Sequence, residues 1–346
     1  MRRILFAAIF AFCLAVPVSA KQIVAPPVHE SGQTLMPQNT DSFGEGLLEL
    51  LQNSIELLGP DLQEASETSG SIIILSLLFS TLPLFSQRVD TMAGVAGTVS
   101  IAAMMLKQSN SLILLAADTV RDILEYGKLL CQVMTAALAA QGGVTESSAL
   151  YIGTTVFITA LNTLISNLMI PMIFFYLAFS VAYSAFGDEF LKKSAEMIKG
   201  AVIWTLKTML IIFTSYMSIT GAVSGSADLA VLKTAKIVIS SAVPVVGGIL
   251  SDSSEAVLIS MRMIKNTAGI YGMLAVLSVF LGPFIKIGTQ YLLLKFSAMI
   301  CGVFGDKRIS ALADSFSVAM SILVAVIATG CVMILISTVC FLKGAG

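Results

Sequence analysis

The side chains able to do chemistry in this chain are few, and their spacing is helical. Asp118, Arg121, Asp122, Glu125, Lys128 and Gln132 recur at three- and four-residue steps, which places both signs of charge on one helix face. Such a face can be solvated, can seal a bundle, or can relay protons if Asp118 and Asp122 sit at membrane depth. A second group, Asp252 and Glu255, follows Pro244 and the pair Gly247-Gly248. Proline has no N–H and glycine has no Cβ. The stretch is therefore either a turn between two helices or a place where a helix stops in apolar surroundings, with protein or water satisfying the freed backbone. In the broken-helix reading, Asp252 and Glu255 cap a helix that restarts at Ser251, their charge facing its positive end. Pro171, preceded by Asn162 and Asn167, marks a further interruption.

Other chemistry lacks its residues. The single histidine, His29, has no second ligand near it, and the cysteines form no Cys-x-x-Cys pair, so no metal, haem or disulfide framework is expected and no cofactor is assigned. No glycine-rich Lys-Ser/Thr loop is present to cradle a nucleotide, so ATP-driven work would need another subunit. An enzyme is not expected.

The elements that carry these residues belong to a membrane protein. In 346 residues, 56% are hydrophobic and 12% charged, with mean hydropathy +0.91, which excludes an ordinary soluble domain set. The fold class read from this is all-α, a polytopic membrane helix bundle. Residues 1–20 have a basic start (Arg2, Arg3), an apolar core and a Val-Ser-Ala ending, the pattern of a cleavable signal peptide, so Lys21 should begin outside the cytoplasm. Residues 21–70 form an acidic extracytoplasmic segment carrying Glu30, Asp41, Glu45, Glu49, Glu56, Asp61, Glu64 and Glu67 with no Lys or Arg after Lys21. Its first part, 21–42, reads as a solvated linker, and 43–58 as a short amphipathic helix stopped by Gly59-Pro60.

Residues 71–346 form the multi-span domain, whose basic excess suits anionic lipid headgroups and gives no support to nucleic acid as a partner. The stretches 71–86 and 92–106 predict a helical hairpin joined at 87–91. In 111–141 the stripe Val120, Ile123, Leu124, Leu130, Cys131 and Met134 opposes the charged one, and Arg121 can pair with Glu125. The uncharged run 147–187 would reach about 60 Å as one helix, so it is expected to fold back or break near Asn162, Asn167 and Pro171. Asp188 and Glu189 are spaced to pair with Lys192 and Lys193. Span 201–223 has Trp204 near an interface and Lys207 able to snorkel. Further spans are 268–285, 288–304 and 316–342, for about eight in all, with a broken or re-entrant segment near 238–250. Basic residues divide too evenly between the loops to fix orientation.

The runs Lys233-Thr-Ala-Lys236, Ser240-Ser-Ala-Val-Pro-Val-Val-Gly-Gly-Ile-Leu-Ser251 and Ile264-Lys-Asn-Thr-Ala-Gly-Ile-Tyr-Gly272 closely resemble the stage III sporulation protein AE family of endospore-forming bacteria. Ile165-Ser-Asn-Leu-Met-Ile-Pro-Met172 is similar to the same family's pattern. The resemblance implies a channel or scaffold subunit of a secretion-like transport complex in the mother-cell membrane around the forespore, needed for late forespore gene expression. It also implies partners: other membrane subunits of the stage III sporulation A complex, a separate cytoplasmic ATPase, and a forespore membrane protein. A stand-alone permease of a small solute is the alternative.

Overall fold

A computed structural model describes the backbone of residues 25–38, 42–81, 87–242 and 247–344, and their side chains except at 57–58, 87–93, 221–262 and 264. The expected signal peptide and the mature start at Lys21 lie outside the described residues. Among those described, every regular element is helical. We name the α-helices α1 (Phe43–Thr81), α2 (Gln87–Ala140), α3 (Val144–Leu164), α4 (Ile170–Phe186), α5 (Glu189–Ala242), α6 (Gly247–Phe304) and α7 (Lys307–Lys343). Five segments are long and apolar enough to cross a membrane: Gly94–Ala140, Val144–Phe186, Glu189–Thr220, Lys265–Phe304 and Lys307–Lys343. About eight spans are expected from the sequence; the described residues hold these five, and some stretches read as separate helices are continuous.

The continuity has identifiable causes. The segment 147–187 does not reverse at Asn162 or Pro171; α3 passes into α4 through a π-helical turn, Ile165–Met169. There the Ile170 N–H bonds the Ile165 carbonyl, five residues back. Widening the helix immediately before Pro171 shifts the carbonyls that a proline ring would otherwise meet, so the helix continues. Pro60 lies inside α1 and Pro283 inside α6, so neither Gly59-Pro60 nor the region of Pro283 and Lys286 ends a helix. The expected spans 268–285 and 288–304 are one rod. In the expected hairpin over 71–106, residues 87–91, read as its join, belong to α2, and residues 82–86 lie outside the description.

Turns appear where the backbone chemistry demands them. Gly187 ends α4 with φ 73°, its N–H on the Tyr183 carbonyl, a left-handed cap that costs a glycine least. Asp188 then accepts from the Phe190 N–H at 2.8 Å and opens α5. Asp306 does the same for α7, accepting from the Arg308 N–H at 2.7 Å. The expected pairs of Asp188 and Glu189 with Lys192 and Lys193 do not form: Asp188 is used as a cap and Lys192 lies over the Tyr183 ring, 5.7 Å from its centroid. Arg121 likewise pairs with Asp118 at 3.0 Å, not with Glu125.

The antiparallel pair α6 and α7 has the most extensive packing in the body, and α7 also touches α2, α3, α4 and α5. Lipid tails give no hydrophobic gain on helix association, so close fit has to hold such helices together. The fit is visible where Gly127 of α2 backs onto Ile334 of α7 and Gly272 of α6 onto Leu130 of α2. The apolar stripe of α2 read from the sequence is buried throughout, from Val120 to Met134. Residues 25–38, expected as a solvated linker, instead form a strap over α2 and α6 in which Pro26, Gly32, Leu35 and Pro37 are buried. Gly32 meets α6 so closely that a Cβ would sit 2.6 Å from the Ser278 hydroxyl.

Candidate functional site

The expected interruption near 238–250 falls partly outside the described residues, and Pro244 lies among those left out. Gly247 and Gly248 form the first turn of α6, and Asp252 and Glu255 follow on its next turns; their side chains are outside the description. Pro171 sits in the first turn of α4.

Within the body, the structure assembles polar groups that sequence spacing did not. Lys265 is 2% exposed, and its ammonium donates to the Gly344 carbonyl at 2.7 Å, just past the C-terminal end of α7. That end carries the negative pole of the helix and its unsatisfied carbonyls, so a cation there is well placed. Glu146, in the first turn of α3 and also buried, comes up against the same Gly344: a Cβ on that glycine would lie 2.9 Å from its carboxylate oxygen. Nothing in the local pattern around Lys265 announces burial, because its partner is a backbone carbonyl 79 residues away. Nearer the middle of the body, Thr154 of α3 shares a 2.7 Å hydrogen bond with Ser337 of α7, which also meets the Cys131 thiol of α2 at 3.7 Å. Gln108 of α2 and Gln290 of α6 exchange two amide hydrogen bonds at 3.3 and 3.2 Å.

A second set lies on the outside of the body. The Ser31 hydroxyl in the strap donates to the Asp122 carboxylate at 3.1 Å, and His29 Nδ1 stands 3.4 Å from the same carboxylate. The Tyr126 hydroxyl donates to the Pro26 carbonyl at 3.3 Å. Further along, Lys286 of α6 bridges Glu64 at 2.8 Å and Asp61 at 3.8 Å on α1. Burial pushes the Asp61 carboxyl above its usual range, with Lys286 opposing.

These arrangements hold helices in register. Among the described residues, no group of three or more His, Cys, Asp or Glu is placed to bind a metal ion. Thr154 with Ser337 and Gln108 with Gln290 bond from helix to helix, the form of contact that fixes which helix meets which in a membrane.

Comparison with known proteins gives the lineage. The pattern of the family described as Stage III sporulation protein AE matches residues 34–345. The chain is 23% identical over 276 residues to the Stage III sporulation protein AE of Bacillus subtilis (strain 168), covering 78% of this chain and 68% of that one. No solved structure matches. The family match takes in all seven α-helices. The chain belongs to the stage III sporulation protein AE family.

Proposed function

We propose that this chain is a multi-pass channel or scaffold subunit of the membrane complex by which the mother cell supports the forespore late in endospore formation. The observation that carries the reading is the family match across the whole helical body. Its partners are then the other membrane subunits of the stage III sporulation A complex, a separate cytoplasmic ATPase and a forespore membrane protein, and it sits in the mother-cell membrane around the forespore. The polar groups inside the body support a positioning role, since Gln108–Gln290 and Thr154–Ser337 tie one helix to another and Lys265 ties α6 to the end of α7. Pro244, Gly247, Gly248, Asp252 and Glu255 are proposed as the residues that shape the segment around the start of α6, and Pro171 as one that shapes the π turn between α3 and α4.

An in-frame deletion tests the proposal. Vegetative growth should be normal, development should stop after engulfment, and the protein should co-purify with the other subunits of the complex. A growth defect in rich medium, with the protein purifying alone and binding a solute, would overturn the proposal in favour of a permease.

A further inference from the structure

We propose that the outer face of α2 around Glu125, Lys128 and Gln132 borders a water-filled path at membrane depth. The heights of the helices follow from their contacts. Cys131 of α2, Ser337 of α7 and Thr154 of α3 meet at one level. Phe157 of α3 packs on Phe213 of α5, and the Tyr216 hydroxyl of α5 reaches the Ala149 carbonyl of α3, so 213–216 of α5 share that level. On α5 the residues from 208 to 227 carry no charge, a length of about 30 Å that equals the hydrocarbon thickness. Trp204 and Lys207 stand at one boundary of this run and Asp228 at the other. Residues 147–187 and 315–342 are equally free of charge. Thr154 stands about 12 Å along its helix from Glu146, and Ser337 about 9 Å from Lys343, so the level of Cys131 lies inside the hydrocarbon layer.

At this depth α2 differs from its neighbours. Gln132, Lys128 and Glu125 lie about 1.5, 4.5 and 9 Å along the axis from Cys131. Glu125 and Gln132 are exposed and Lys128 is partly so. Neither charge has an ion-pair partner among the described residues. Arg121 and Asp118 continue the same stripe towards the Trp204 boundary, 57% and 60% exposed. Over the same heights α3 and α5 expose Ile152, Val156, Ile211, Ile212 and Ile219. A lysine facing lipid at the centre of a helix costs about 3 kcal/mol even on the mildest scale.

The strap is a second, independent sign. Its non-helical backbone meets α2 at Asp122 and Tyr126, on and beside the charged face. At membrane depth such backbone is tolerated only inside protein or along water. Unpaired charge of both signs argues for water and hydrophilic solute, since a protein partner would have to bury each charge against its opposite. One side of the body thus meets lipid and the other an aqueous path. Only the identification of that path with the complex's conduit rests on the function proposed above.

The test is cysteine accessibility in sealed membranes holding the assembled complex. Glu125→Cys, Lys128→Cys and Gln132→Cys are compared with Val156→Cys, Ile212→Cys and Ile219→Cys, using a membrane-impermeant methanethiosulfonate reagent. The unsubstituted protein gives the background, in which Cys131, Cys301 and Cys331 are buried and Cys340 is partly exposed. The α2 positions should react on the order of tenfold faster than the α3 and α5 positions, because only a solvated thiol ionises readily. Equal, slow labelling at all six would mean that protein or lipid covers α2, and equal, fast labelling would mean that the body stands outside the bilayer; either overturns the proposal. If Glu125→Cys does not accumulate, Gln132→Cys, an uncharged exchange at an exposed position, carries the comparison. Labelling is read without reference to spores, so normal sporulation of a deletion strain would defeat the functional reading and leave this one standing.

Discussion

Replacing Lys265 with methionine isolates one ammonium group. Methionine keeps the unbranched apolar stem and roughly the length, so the cavity term that alanine would add is absent. What is lost is the 2.7 Å bond to the Gly344 carbonyl, at a site where Lys265 is 2% exposed. Hydrogen bonds from charged groups contribute about 1.5–3 kcal/mol net. Against this stands the relief of no longer holding a cation out of water, an effect of several kcal/mol for an isolated ion. Here the cation is not isolated. It faces the negative end of α7, and the buried Glu146 carboxylate abuts the same glycine, so its removal leaves both without that positive charge. We expect Lys265→Met to destabilise by roughly 2–4 kcal/mol, since breaking such a buried arrangement from one side is normally unfavourable. For a chain of this size that corresponds to a fall in Tm of roughly 3–6 °C, measured by heating detergent-solubilised protein and following the folded fraction by size exclusion. Glu146→Gln in the Lys265→Met background should restore part of the loss. A Lys265→Met protein that melts at or above the parent would refute the reasoning, because the α7 terminus would then need no donor.

Glycine packing gives a paired prediction: Gly272→Val should lower stability by about 1–3 kcal/mol, because a Cβ there would lie 2.5 Å from two Leu130 carbons. Gly288→Val, with nothing within 4 Å of the added Cβ, should melt close to the parent. At the α6 start, Gly248→Leu should abolish spore formation with the protein level intact, Asp252→Asn should be mild, and Asp252→Leu worse; near-normal spore yield for Gly248→Leu would end the proposal for that segment. For Asp61, burial raises the folded pKa above 3.8, so its contribution to stability is present at acidic pH and lost as pH rises through the raised value. Asp61→Asn should accordingly leave stability at neutral pH unchanged or higher and flatten its decline above pH 4, checked by melts across pH.

The sequence was most legible where one helix decides its own pattern. The buried stripe from Val120 to Met134 follows from three- and four-residue spacing alone, because each position needs only an apolar neighbour. Helix ends were less legible. Pro60, Pro171 and Pro283 each remove a hydrogen bond, yet α1, α4 and α6 hold them. Packing along rods of 39 and 58 residues outweighs one lost bond, and at Pro171 a π turn absorbs the ring. Pairs at four-residue spacing were illegible for another reason. Asp188 caps a helix and Arg121 chose the nearer carboxylate, alternatives that differ by only a few tenths of a kcal/mol. The strap could not be foreseen, since its polar composition conceals that Pro26, Gly32 and Leu35 fit a surface contributed by residues far downstream.

That distance sets an order on synthesis. Residues 25–38 leave the ribosome long before α6, but Gly32 docks against Ser278 and Val279, and Asp61 and Glu64 of α1 against Lys286. Neither can reach its final position until most of α6 has been made and inserted. During that interval α1 has no surface for Leu50, which is completely buried in the finished chain. Contacts so remote in sequence are slow to form and leave an apolar intermediate open to wrong partners. A chain cut short before residue 270 should therefore remain unassembled at its beginning as well as its end, with residues 25–38 open to protease while the helices already inserted are spared.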